Sequence, residues 1–141
     1  MNDDALDFGD YPEEWRPVPG WEGVYEVSSH GRVNSLERVI RTRNGRTLHV
    51  TARAMTVSEG WDNYWFVMLR AGARRKWERV HRLVFAAFVA ERRLDASEEV
   101  DHCGESKRDN RPCSLELVSP EENKRRAIER HSRHRVGVGA A

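Results

Sequence analysis

The sequence predicts an α+β fold: a small antiparallel N-terminal sheet, a helix, and then a compact strand–loop–strand–helix unit. Three observations carry that prediction. Short alternating apolar–polar runs broken by Gly and Asn turns fill residues 24–80, as half-buried strands require. The apolar spacing then changes to the 3.6-residue helical period over 80–92. Finally, a capped helix opens after Ser119.

In chain order, residues 1–12 offer Asp, Gly and Pro with little to bury, and are expected to form a disordered acidic leader. Val24–Val27 and Arg32–Leu36 alternate on either side of Ser28-Ser29-His30-Gly31, a hairpin with Gly31 at the φ > 0 position. Asn44-Gly45 predicts a second hairpin between the arginine-rich 38–43 and residues 47–50. Residues 64–70 read as a mostly buried strand that returns over 75–80 after Ala71-Gly72-Ala73. Val80, Leu83, Val84, Ala87 and Phe88 form the apolar stripe of a helix over 80–92, which is core. Glu99–His102 and Leu115–Val118 are short strands flanking a polar loop, 103–113. Ser119 as N-cap, Pro120 at N1 and Glu122 at N3 spell a capping box for a helix reaching about His131. A flexible tail, 132–141, is expected after it.

The formal net charge of +1 conceals an asymmetry. Residues 1–31 carry eight acids against one base, whereas 32–93 carry fourteen bases against five acids. A compact basic segment is the footprint of a nucleic-acid binder, and equally of a solvated basic face. No run approaches the ~18 apolar residues of a membrane helix, and the acid-rich start is unlike a signal peptide, so no membrane partner and a cytoplasmic location are expected. Cys103 and Cys113 would then be reduced thiols.

Chemistry is suggested by residues 99–131. Asp101 and His102 end the first strand and point to opposite faces. Asn123 lies in the first turn of the following helix and can be turned back toward them. A carboxylate and an amide oxygen suit a hard cation such as Mg²⁺, and a neutral imidazole can accept a proton from water near pH 7. Taken alone, an Asp-His pair at a strand end is more often structural, and an Asn on a helix surface is usually only solvated.

The run Val80-His81-Arg82-Leu83-Val84-Phe85-Ala86-Ala87-Phe88, then Val100-Asp101-His102, Asp109-Asn110-Arg111 and Leu115–Asn123, resembles the HNH homing-endonuclease family over about 79–127. Upstream, Glu14–Ser28 followed by Gly31-Arg32-Val33-Asn34-Ser35-Leu36 resembles the nuclease-associated modular motif (NUMOD) often found before such domains. The resemblance implies a NUMOD-like, β-rich DNA-binding region at 13–78 and a ββα-metal (HNH) nuclease motif at 79–131. It implies catalytic residues His102 (general base), Asp101 and Asn123, the last two binding a divalent ion, Mg²⁺ or Mn²⁺. The family's middle Asn, before the Leu of the second strand, is Ser114 here; Ser114 and Asn110 are the expected orienting loop residues. The implied activity is metal-dependent hydrolysis of double-stranded DNA, leaving 5′-phosphate and 3′-hydroxyl ends. The alternatives are a non-catalytic DNA-binding protein with a decayed site, or an accessory factor such as one assisting a phage packaging enzyme. A monomer in a bacterial or phage-infected cell is expected.

Lys107, Arg108 and Arg111 on the loop, Arg32 and Arg38 near the first hairpin, and Arg41, Arg43 and Arg46 are candidate phosphate contacts or simply solvated charges. His81 is a recurrent position of the resembled family, with a packing or phosphate-contact role. Two thiols nine residues apart with no second pair are poor zinc ligands, so zinc is not expected. Trp15, Trp21, Trp61, Trp65 and Trp77 read as core anchors of the N-terminal unit.

Overall fold

The structure, a computed structural model, describes residues 8–104 and 106–138, with side chains to residue 135. Residues 1–7 of the expected leader and 139–141 of the expected tail lie outside the described residues.

The first hairpin forms as Gly31 predicts. Strand β1 (Trp15–Pro17) pairs antiparallel with β2 (Tyr25–Ser28), and β2 with β3 (Val33–Ser35), in the register Tyr25↔Ser35. Gly31 has φ +89, and a Cβ there would come to 3.0 Å of the Asn110 Cβ, so glycine is required both by the turn and by the close approach of loop 103–113. The second hairpin, β4 (Arg38–Arg41) and β5 (Thr47–Val50), closes at Gly45 with φ +75 and stands out from the body with Val39 and Leu48 exposed. The third pairs β8 (Trp65–Ala71) with β9 (Arg74–Arg79) around Gly72.

These strands do not make one sheet. Two-residue strands β6 (Arg53–Ala54) and β7 (Ser58–Glu59) divide them into a four-stranded sheet β1-β2-β3-β6, the ribbon β4-β5 and a three-stranded sheet β7-β8-β9. Tyr25 ties the first sheet to the third: its hydroxyl donates to the Arg70 carbonyl at 3.0 Å and accepts from the Arg70 amide at 2.9 Å.

Helix α1 (Val80–Phe85) starts the predicted amphipathic segment, but Ala86–Ala90 are wound as a π-turn that ends at Glu91 in the left-handed region, φ +55. The buried face is the predicted one: Val80, Leu83 and Val84 join Val18, Trp21, Tyr25, Val27, Val33, Val67 and Leu69 in a core that also takes Val100 and Leu115. Strands β10 (Glu99–His102) and β11 (Leu115–Val118) form a separate antiparallel pair, followed by α2 (Pro120–Val138).

Several expectations are corrected. Helix α2 continues through 132–138 instead of ending near His131; Glu122, Arg125 and Glu129 pair at i,i+3 and i,i+4 along its exposed side, support that does not need an apolar stripe. The capping box is half made. Ser119 Oγ accepts from the Glu122 amide at 3.1 Å, but the Glu122 carboxylate turns to Arg125 and Arg126. Residues 8–12 are packed: the Arg111 guanidinium lies over Phe8 and Tyr11, and the Tyr11 carbonyl is 2.9 Å from His30 Nε2. Trp21 is a core anchor, whereas Trp61 is fully exposed on the β7–β8 turn and Trp77 stands on the open face of β9. Among the described residues no helix is long and apolar enough to cross a membrane.

Candidate functional site

The β10–β11 hairpin lies between α1 and α2, in the register Asp101↔Glu116 and His102↔Leu115. Strand alternation sends Val100 and His102 toward α1 and the core, and Glu99 and Asp101 toward α2. The two neighbours expected to carry chemistry therefore meet different partners.

His102 is buried, with its Nε2 3.0 Å from the Asn110 amide oxygen. An amide oxygen only accepts, so this bond places the ring proton on Nε2 and leaves Nδ1 as the basic nitrogen. Nδ1 is buried and, among the described residues, meets no hydrogen-bond partner. The ring packs 5.0 Å from that of His81 and 5.7 Å from that of Tyr64, and Tyr64 and His81 are 5.0 Å apart. Burial pushes the His102 pKa below its ordinary value, only partly opposed by the Asn110 hydrogen bond, so the ring is neutral at pH 7. His81 is pushed down to about 3, chiefly by burial and then by its neighbour His102.

Asp101 is fully buried. Arg130 grips it as a fork, Nη1 to Oδ1 at 3.1 Å and Nη2 to Oδ2 at 2.8 Å, while Arg126 Nη1 reaches Oδ2 at 3.2 Å. Arg130 Nη2 also donates to the His102 carbonyl at 3.1 Å, and Arg126 is held by Glu116 and by Glu122. Burial alone would raise the Asp101 carboxyl; the hydrogen bonds from Arg130 and then Arg126 outweigh it and hold the group below the usual carboxylate range. Asn123 lies on the same face of α2, three residues before Arg126 and seven before Arg130, and its amide nitrogen donates to Glu99 at 2.5 Å.

No group of three or more His, Cys, Asp or Glu side chains that could hold a metal ion occurs among the described residues. The Asp101 carboxylate and the Asn123 amide nonetheless share the β10–α2 interface, and both are oxygen donors of the kind a hard divalent ion takes. A fully buried carboxylate demands a cationic partner. The guanidiniums of Arg126 and Arg130 supply it here. The donor set fits Mg²⁺ or Mn²⁺ in kind. Cys103 and Cys113 are exposed free thiols.

An open groove of about 1670 Å³ runs along this interface, lined by Tyr64, Cys103, Lys107, Asn123, Arg126 and Arg130 among others. Lys107 reaches it from the loop, its Nζ 2.8 Å from the Asp62 carbonyl and 4.4 Å from the centre of the Tyr64 ring.

The other sequence candidates are placed as follows. Asn110 is buried against His102, as an orienting residue would be, but Ser114 is not: its hydroxyl donates to Asp109 at 2.7 Å, and Asp109 in turn holds Arg111 as a fork. Arg108 pairs with Glu59, and Arg32 pairs with Glu13 and lies over Trp15. Arg38 donates to Ser35 and to the Leu36 carbonyl, which makes it a brace for the hairpin. Of the two roles expected for His81, packing or phosphate contact, its burial and lowered pKa agree with packing. Arg41, Arg43 and Arg46 are exposed on the β4–β5 ribbon. Sequence reasoning missed Tyr64, Glu99, Arg126 and Arg130. The signal for the arginines is their position at i+3 and i+7 from Asn123, opposite a strand carboxylate.

Comparisons with known proteins bear on this geometry. Residues 13–56 match the NUMOD4 motif. No curated protein matches the chain significantly. Among solved structures, the chain is similar to the HNH homing endonuclease I-HmuI, described for its DNA binding and cleavage, with a TM-score of 0.61 and 27% identity over 84% of this chain. The chain spans 59% of the length of that protein. It therefore carries a NUMOD4 motif ahead of a strand–strand–helix unit in a fold that resembles an HNH homing endonuclease.

Proposed function

We propose that the chain is a metal-dependent endonuclease that hydrolyses phosphodiester bonds of double-stranded DNA, with His102 as general base. The observation that carries this reading is the orphaned Nδ1 of His102. Buried polar atoms are nearly always satisfied, so an exception needs an explanation. Here the neutral ring is fixed in one tautomer by Asn110, with its basic nitrogen left without a partner among the described residues.

In this reading Nδ1 takes a proton from the attacking water, while the Asn110 oxygen stabilises the imidazolium through Nε2. Tyr64 and His81 pack against the ring and keep it from swinging. Lys107 and the arginines of the groove hold the flanking phosphates. Asp101 and Asn123 would hold a divalent ion, Mg²⁺ or Mn²⁺, which would supply charge neutralisation at the phosphodiester. The resemblance to a DNA-cleaving relative supports the substrate class.

The test is nicking of a supercoiled plasmid with Mg²⁺. His102→Ala should lower the rate by about 10²–10⁴-fold, the usual worth of a general base, with duplex affinity unchanged in a gel shift. In the wild type the rate should be flat above neutrality and fall only as pH drops below the ordinary histidine value of 6.5, because burial holds the pKa below it. Full nicking by His102→Ala would end this reading. A non-catalytic duplex-binding role takes its support from the guanidiniums that occupy Asp101. Salt-dependent binding without any metal-dependent nicking would decide for that role.

A further inference from the structure

Resting on the nuclease reading, we propose that Arg130 is a phosphate ligand at the cut. It is held on Asp101 until DNA and a divalent cation arrive together, and it then hands the carboxylate over.

The two arginines on Asp101 are not equivalent. Arg126 has three anionic partners, Asp101, Glu116 and Glu122, so it loses little if Asp101 is taken away. Arg130 has only the Asp101 carboxylate and the His102 carbonyl among the described residues. Its side chain is 39% exposed at the edge of the groove, on the open side of a fully buried carboxylate. A guanidinium fork that fits a carboxylate fits a phosphate equally well, and its long stem lets it change partner without moving the helix.

Competition for one carboxylate makes the exchange coupled. Arg130 fills both Asp101 oxygens as a fork, so a dication reaches the carboxylate only as Arg130 leaves it, and a released guanidinium with no anion beside a dication is opposed by Coulomb repulsion. With the DNA backbone present, Arg130 leaves Asp101 for a phosphate as the cation takes its place. The cation should therefore bind weakly to the protein alone and better with DNA, and by linkage it should strengthen DNA binding by the same factor.

Calorimetric titration with Ca²⁺, with and without a random-sequence duplex, tests this apart from cleavage. Arg130→Gln should bind Ca²⁺ without DNA about tenfold more tightly than the wild type, since the competing charge is gone, and Arg130→Lys should fall between them. The salt dependence of duplex binding should steepen by about one phosphate contact when Ca²⁺ is added to the wild type, and not in Arg130→Gln. Thermal melts in EDTA confirm that each variant is folded, and Arg130→Lys serves if Arg130→Gln is not. Unchanged or weaker Ca²⁺ binding by the folded Arg130 variants overturns the hand-over. Asp101→Asn separates the two levels: if it leaves wild-type Ca²⁺ binding intact, the cation is not on Asp101 and the nuclease site falls too. If it abolishes binding while the Arg130 variants change nothing, only the hand-over falls.

Discussion

Lowering the pH from 7.5 to 5 should protonate His81 in the unfolded chain and leave it neutral in the folded one. The ring is buried between Tyr64 and His102, and burial followed by the charge of His102 pushes its pKa from 6.5 to about 3. For a histidine depressed on folding, stability is fully present above the unfolded pKa and is lost as pH falls below it. The loss begins near 6.5 and levels off near 3. One unit of pKa is worth about 1.4 kcal/mol, so the 1.5 units between 6.5 and pH 5 should cost about 2 kcal/mol from His81 alone. The window matters. Carboxylates held low by arginines, such as Asp101, Asp109 and Glu122, lose their contribution only as pH falls below the unfolded carboxylate range near 4, and so are nearly silent above pH 5. His102 is depressed as well and adds to the slope in both proteins. The assay is urea unfolding at half-unit steps from pH 7.5 to 5, in wild type and His81→Leu. The variant's absolute stability is irrelevant; its slope against pH should be flatter by about 2 kcal/mol over the window. Equal slopes would refute the claim that His81 is buried neutral.

Two further outcomes follow from side-chain placement. Asn110→Ala removes the acceptor of the His102 Nε2 hydrogen bond and should lower plasmid nicking by about 10–100-fold, as loss of a buried hydrogen bond of about 1–3 kcal/mol implies. Ser114→Ala should change nicking only a few-fold, because the serine touches Asp109 and not the ring; equal losses in the two variants would show that the loop acts as one unit. In urea unfolding, Trp21→Ala should cost about 3–5 kcal/mol, while Trp61→Ala should fall within about 0.5 kcal/mol of wild type because its ring is wholly in solvent.

Much of the fold could be read from local chemistry. Gly31, Gly45 and Gly72 each sit at a positive-φ turn between alternating runs, and all three hairpins form there. Pairing between distant segments could not be read. Arg53–Ala54 is two exposed residues long, and it is a strand only because β3 presents an edge to it. The π-turn at Ala86–Ala90 has no marker in an alanine-rich stretch whose apolar period suits an α-helix as well. Tryptophan was overread as core: hydrophobic area alone does not tell Trp21, folded under its turn, from Trp61 on a loop tip.

The candidate site divides along the same line, and the division explains why its acid and its base were easier to find than its arginines. Period-two alternation is a backbone property, so the separation of Asp101 from His102 is contained in their adjacency on a strand. What each side chain then meets depends on which elements cover the two faces. On the α1 side the covering residues are apolar or neutral, and His102 is left as an uncharged base with a bare nitrogen. On the α2 side the strand presents a buried carboxylate to a helix that carries few large apolar residues, and among the described residues Arg126 and Arg130 neutralise it. In the sequence these two look like ordinary members of a solvated charged helix. Burial of the aspartate turns them into part of the site, so any chemistry that needs that carboxylate must first deal with them.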